Sequence, residues 1–436
     1  MLLLVVAAAC SVHGGGSAGI VAPSDAVRIT SDGDRGITPD TITIGALVYR
    51  DASFAQFGLS RLGGRPVAQI AQPFVDDINE HGGIGGRRVV IVVTEFSPIT
   101  PADMQTACVE QAQDKKVFAT IGIVGFGAAG ERCLASHQTP VVTSNTSSLA
   151  SLRADRGWVR QTSMAQDRMV KDWIDWMVSS RVATPSSRVG VLHSDTPDDD
   201  ALVTDVMVPY LRQLGLDVVA QAAVSGDTVD TVTTEVRTAA QRFKDAHVDL
   251  VIPDLDFLRT YAFVGAAANA GLEARYTVSD LGQMSLDATT NFYPRSFDGT
   301  AGVTAFVPSP SGDAVPETPA FAQCLAIYQA HGQQLATNPI DRLAEELELA
   351  QFCEHLHLVA RVAALAGPHL NRASFLAAFD RLGQWSDRVT LTGPLSFGPG
   401  KYDGPDDIAV IRWQADCGQG DVSCYVQVEP LAKGRW

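Results

Sequence analysis

The sequence predicts an α/β protein of two doubly wound lobes joined by crossing strands. Three observations lead there. From residue 41 onward, apolar runs of strand type alternate with segments of helical spacing. The alternation occurs in two successive series, about 41–144 and about 165–279. The chain has 436 residues, 46% of them hydrophobic, which is enough for more than one core.

The first series opens on TITIGALVY (41–49), a strand rich in β-branched residues. Val67, Ile70, Phe74 and Ile78 follow at helical spacing, with Pro66 suited to the first turn. RVVIVVT (88–94) is nearly continuous apolar chain, as in a strand buried on both faces. TPADMQTACVEQAQ (100–113) reads as a helix capped by Thr100, with Pro101 next and Asp103 in its first turn. VFATIGIV (117–124) is a buried strand, followed by a helix and by PVVTS (140–144). The second series runs from the helix starting near Ala165 through RVGVLH (188–193), a helix at about 199–214, and DVVAQAAV (217–224). A helix at about 229–246, VDLVIP (248–253), a helix at about 257–270 and RYTVS (275–279) complete it. Residues 300–436 hold one strand, AGVTAFV, helices near 317–332 and 339–366, and short β-like pieces that complete the earlier sheets. The expected division is a signal at 1–10 and a tether at 11–38. Lobe 1 takes 39–163 plus about 305–390, and lobe 2 takes 164–304 plus about 391–436. Ligands of open α/β sheets bind outside the carboxyl ends of the strands, so two such lobes share a cleft.

Formal net charge is −16, which speaks against nucleic acid as a partner. MLLLVVAAAC is too short to span a bilayer and reads as a secretory core. Its small residues close on Cys10, as in a bacterial lipobox, so Cys10 is the expected lipidation site. The Gly/Ser/Asp-rich stretch 11–36 reads as a flexible tether. Six further cysteines (Cys108, Cys133, Cys324, Cys353, Cys417 and Cys424) suit disulfides in an exported chain. Fifteen pairings are open to them, and buried free thiols are the alternative. Nearest neighbours along the chain give 108–133, 324–353 and 417–424. No spacing resembles a metal site, and no cofactor is expected.

INEHGGIGGRR (78–88) invites a phosphate-loop reading, but it lies after a helix and before a strand. A phosphate loop needs the reverse order, so that a helix N-terminus faces the anion. The stretch reads as a connector whose glycines end the helix and make the turn. GFGAAG (125–130) does follow a strand and matches a dinucleotide pattern. It sits on the third strand of its series, and no acid ends the next strand to hold a ribose. An NAD(P)-dependent enzyme is therefore the weaker alternative. No nucleophile motif is present, and DTPDDD (195–200) reads as the cap of the following helix.

The segments ITIGALV…FAQFG (42–58), DDINEHGGIGGRRVVIVV (76–93), KVFATIGIVGFG (116–127) and TPVVTSNTSS (139–148) follow one another in a familiar order. In them the chain resembles the leucine/isoleucine/valine-binding type of periplasmic substrate-binding protein, the type I Venus-flytrap fold served by ABC importers. VDLVIPDLD (248–256) and ARYTVSD (274–280) match more loosely. The resemblance implies a non-enzymatic, monomeric binder of a small polar solute, an amino acid or a related amide or carboxylate. Its partners would be a permease and ATPase complex, and its place would be outside the cytoplasm on a lipid anchor. A ligand sensor of the same fold is the rival. By position, Phe57 would line the cleft and Phe126 falls where serine is usual. Asn145 and Ser147 fall on the carboxylate-holding loop. Asp256 falls where an aromatic is usual, and Asp280 at the ammonium-binding acid. The resemblance also supports pairing Cys108 with Cys133.

Overall fold

The structure is a computed structural model describing residues 35–50, 65–97, 100–122, 126–226, 228–281, 293–305, 318–386, 389, 393–416 and 423–436. The first sheet holds β1 (Thr41–Tyr49), β2 (Arg88–Phe96), β3 (Ala119–Gly122), β4 (Val141–Thr143) and β5 (Val159–Gln161), in the order β2-β1-β3-β4-β5. Every pairing in it is parallel. Helices α1 (Val67–Glu80), α2 (Pro101–Val109), α3 (Gly127–Ser136) and α4 (Leu149–Ala154) connect these strands. The last strand, VRQ, is too short and too polar to show as a strand in the sequence, yet all three of its residues are buried.

The connector INEHGGIGGRR joins α1 to β2 as expected. Gly82, Gly83, Gly85 and Gly86 all take positive φ. A Cβ on Gly83 would lie 2.0 Å from the carbonyl oxygen of Arg87, so only glycine fits there. Asn79 stitches the turn shut. Its side-chain oxygen accepts from Val89 N–H at 2.7 Å, and its amide donates to the Val89 carbonyl at 3.0 Å.

The second sheet holds β6 (Arg188–Ser194), β7 (Asp217–Val224), β8 (Leu250–Asp254), β9 (Arg275–Val278), β10 (Ala301–Thr304), β13 (Asp407–Gln414) and β14 (Cys424–Lys433). Its order is β14-β13-β10-β9-β8-β6-β7. The five strands β6 to β10 are parallel and repeat the strand order of the first sheet. The two C-terminal strands extend it antiparallel. Helix α5 (Gln166–Ser179) leads into this lobe. Helix α6 (Pro197–Ala201) runs through a π-helical turn, Leu202–Met207, into α7 (Val208–Gln213). Helices α8 (Val229–Asp245) and α9 (Phe257–Ala270) complete the set. Trp173 of α5 is fully buried, and its indole N–H donates to Thr277 Oγ1 at 2.8 Å.

Helices α10 (Pro319–Ala330), α11 (Pro339–Ala366) and α12 (Arg372–Leu382), and the small ribbon β11 (Gly383–Trp385) with β12 (Leu395–Phe397), share one apolar core with the first sheet. Phe74, Phe118, Tyr328, Phe375 and Phe379 are central to it. The chain passes from the first sheet to the second at 162–165 and again at 398–406, and these two crossings touch. Gln161 N–H donates to the Tyr402 carbonyl at 2.9 Å. Asp403 accepts from Ala165 N–H at 3.0 Å and from Arg168 at 2.5 Å.

Disulfides join Cys108 to Cys133 and Cys324 to Cys353. The first ties α2 to α3 and the second ties α10 to α11, so each staples a helix pair on the first lobe. Cys424 is also disulfide-bonded, and Cys417 lies outside the described residues. One capping expectation needs correction. Thr100 occupies the cap position of α2 but makes no side-chain cap bond, because Asp103 reaches back to take Ser97 N–H at 2.6 Å instead. DTPDDD caps α6 as expected: Thr196 accepts from Asp199 N–H, while Asp198, Asp199 and Asp200 fill the first turn, where the helix dipole favours negative charge.

Candidate functional site

In the first lobe, β4 ends at Thr143 and opens into the loop 144–148, which is buried throughout. Its polar groups are paired inside the loop. Asn145 N–H donates to Thr143 Oγ1 at 3.0 Å. Ser147 N–H donates to Gln161 Oε1 at 2.7 Å, and the Gln161 amide donates to the Met164 carbonyl at 2.9 Å. The Ser163 hydroxyl donates to the Asn145 carbonyl. The Ser147 hydroxyl donates to Glu131 Oε2 at 2.7 Å. Glu131, on α3, is fully buried, and its Oε1 has no hydrogen-bond partner. Burial pushes its carboxyl up to about 7 against the pull of the Ser147 bond.

In the second lobe, the strand order reverses between β6 and β8. His193 and Asp254 lie opposite each other at the carboxyl ends of those two strands. Asp254 is 3% exposed and its Oδ2 has no partner. Burial, with the nearby Asp199 carboxylate adding to it, holds Asp254 well above the usual carboxylate range. Asp199 in turn is pushed up to about 6, chiefly by burial.

The two lobes meet at the start of α6. Asp198 accepts from the Ser151 hydroxyl at 2.9 Å and from Arg132 Nη2 at 3.3 Å. Arg132 and Ser151 belong to α3 and α4 of the first lobe, and their side chains also bond each other at 3.1 Å. Asp155, at the end of α4, is 3% exposed with neither carboxylate oxygen paired. Burial raises it to about 7, Arg132 opposes that and Asp198 adds to it.

Two sheets of the same strand order thus present their carboxyl ends to one boundary. The pattern of the periplasmic binding protein family matches residues 41–418. The chain belongs to that family. None of the curated proteins matches it at a significant level. Among solved structures it is similar to a solute-binding protein of an ABC transporter from R. palustris in complex with 4-hydroxybenzoate. Identity is 17%, the TM-score is 0.68, and the match covers 91% of this chain and 98% of that one. It is similar to a fatty acid ABC transporter substrate-binding protein from Thermomonospora curvata (15% identity, TM-score 0.67, covering 92% and 94%). It is also similar to a branched chain amino acid ABC transporter protein from Thermus thermophilus with bound valine (14% identity, TM-score 0.66, covering 92% and 98%). At these identities the likeness concerns the fold.

Within this member of the periplasmic binding protein family, the seven residues singled out from sequence for ligand binding or lipidation fare differently. Phe57 and Cys10 lie outside the described residues. Phe126 is 1% exposed and packs edge-on against Phe96, their centroids 5.1 Å apart. A Cβ on Gly130 would lie 2.5 Å from the Phe126 ring, so packing accounts for the last glycine of GFGAAG. Asn145 and Ser147 share one loop, with the bonds described above. Asp256 caps α9, accepting from Leu258 and Arg259 N–H, and pairs with the Arg259 guanidinium at 2.5 Å. Asp280 is fully buried, accepting from the Thr304 hydroxyl at 2.5 Å and from Ala305 N–H at 2.7 Å. The hydrogen bonds of Asp256 and Asp280 thus run within the second lobe, and those of the Asn145 loop do not include them. Sequence reasoning passed over Glu131, Arg132, Gln161, His193 and Asp254. The signal for Asp254 was present: an acid closing the apolar run LVIPD can only sit at a strand end.

Proposed function

We propose that the protein is the extracytoplasmic solute-binding component of an ABC importer, acting as a monomer and without covalent chemistry. A small ligand enters between a lobe formed by 39–163 plus about 305–390 and one formed by 164–304 plus about 391–436. The lobes close on it, and the closed form is what a permease and ATPase complex recognises. Cys10 would carry the lipid that keeps the protein at the membrane, with 11–38 as its tether. Among the described residues, no helix is long and apolar enough to cross a membrane.

One observation carries this reading: two sheets of matching order meet at their carboxyl ends, bridged there by the contact of Asp198 with Arg132 and Ser151. Adjacent crossings at 161–165 and 402–403 supply a hinge behind that contact. Small-angle scattering and thermal melting with a panel of amino acids, amines, amides and aromatic and aliphatic carboxylates test it. The expected result is a rise in melting temperature with one chemical class, by mass action, and a smaller radius of gyration in its presence. Stabilisation by NAD(P) alone, with no change in radius, would overturn it.

A further inference from the structure

We infer that the strand-order reversal of the second lobe is a cation subsite, built from Asp254 and Asp199, that selects an amine or guanidinium group on the ligand. The inference deepens the solute-binding reading and rests on it.

Position comes first. In an open α/β sheet the crevice for a ligand lies where the strand order reverses, outside the carboxyl ends. Here that place falls between β6 and β8, and Asp254 is the last residue of β8. Asp199 approaches from the first turn of the helix that follows β6.

The pairing of the surrounding groups comes second. Most donor atoms nearby are already committed, the buried Nε of Arg259 being an exception. Thr196 donates its hydroxyl to Asp199 Oδ2 at 2.7 Å. His193 Nδ1 lies 3.0 Å from the Ser194 carbonyl and 3.3 Å from Asp200 Oδ1. Arg259 gives Nη1 to Asp256 and Nη2 to the Gly226 carbonyl at 2.8 Å. Arg132 serves Asp198 and Ser151. At the strand end itself an acceptor is left over, the buried Oδ2 of Asp254, which has no donor. A buried carboxylate without a donor is costly, and one facing a second carboxylate more so. An ammonium brings three N–H donors and a positive charge, and a guanidinium brings five. A ligand carboxylate would add a third negative group to the pair.

A proton consequence follows. Asp254 faces Asp199, and Asp199 faces Asp198, Asp200, His193 and Arg259. Without a cation the pair retains a proton near neutrality, because burial raises both carboxyls. A cation displaces that proton, so its affinity increases as pH rises.

The test is calorimetry on the full chain with 1,4-diaminobutane, agmatine and valine as amines. Octanoate and 4-hydroxybenzoate serve as carboxylates without nitrogen, and calcium chloride as a bare cation. An amine is expected to bind about tenfold tighter at pH 8 than at pH 6 and to lose roughly 100-fold in affinity in Asp254→Asn. Asp199→Asn should weaken it less, and melting temperatures confirm that both variants fold. Binding of the carboxylates and of no amine overturns the inference while leaving the solute-binding reading intact. Binding of calcium and of no amine overturns it as well, and so does an amine affinity unchanged in both variants. No binding by any member of the panel overturns the inference and the solute-binding reading together.

Discussion

The two lobes have the same strand order but treat the polar groups at their strand ends in opposite ways. In the first lobe, loop 144–148 pairs its donors with neighbours in the same lobe, through Thr143, Gln161 and Glu131, although Glu131 Oε1 itself stays unpaired. In the second, the end of β8 leaves Asp254 Oδ2 unpaired. Internal pairing makes a loop rigid, whereas an unpaired buried acceptor makes a place for something else. The difference teaches that position at a strand end does not by itself mark a contact residue. What counts is whether the group has been satisfied by its own chain.

The comparison can be broken in four places. The largest effect is expected at Glu131. Its carboxyl holds a proton up to about 7, while the unfolded chain releases it near 4.5. Between those values the unfolded state binds fewer protons, so stability falls as pH rises through the window and levels off above it. The span corresponds to ~3 kcal/mol. Urea titrations at pH 4.5, 6 and 8 should show the slope in the native protein and a flatter one in Glu131→Gln; equal slopes would mean that Glu131 is not the titrating group. Next comes Ser147→Ala, which strips Glu131 of the Ser147 hydroxyl and should cost about 1–3 kcal/mol. An unchanged urea midpoint would show that the loop is not held this way. Asp256→Ala removes a helix cap and should cost about 1 kcal/mol, with no change in ligand affinity. A large affinity loss by calorimetry would move Asp256 from the fold into the site. Smallest is Asp254→Asn, expected to shift stability by less than ~0.5 kcal/mol at pH 8, or to raise it, because a buried charge without a partner is removed. A loss comparable to that of Ser147→Ala would erase the contrast between the lobes.

Much of the fold was legible in the sequence. The strand in VDLVIP is buried on both faces, as its continuous apolar run announces, whereas RVVIVVT, read the same way, is an edge strand whose residues 90–93 are only half-buried. The helix beginning at Val67 showed its buried stripe directly. Strand β5 was hidden because Arg160 and Gln161 are buried as polar groups held by long-range partners. Arg160 lies over the rings of Phe379 and Tyr402, more than two hundred residues away. No local pattern encodes such contacts. The site was less legible for the same reason. Asp256 and Asp280 resemble ligand groups in a linear reading. Only in three dimensions does Asp256 meet the first N–H groups of its own helix, and only there does Asp280 meet Thr304 and Ala305. Glu131 was overlooked because an acid inside a helix reads as solvated surface until Ser147 is found beside it.

The place where the described chain begins has a mechanical consequence. Arg35 donates to the His137 carbonyl at 2.6 Å and to Thr139 Oγ1 at 2.8 Å, and Gly36 lies so close to Phe118 that a Cβ would fall 2.1 Å from its nitrogen. Phe118 and Thr139 precede β3 and β4, so these contacts lie at the pole of the first lobe opposite the strand ends. A pull on the upstream segment is therefore taken up by the first lobe alone. It passes neither through the boundary at Asp198 nor through the crossings at Gln161 and Asp403. On the proposed reading, closure of the second lobe would proceed without load from that segment.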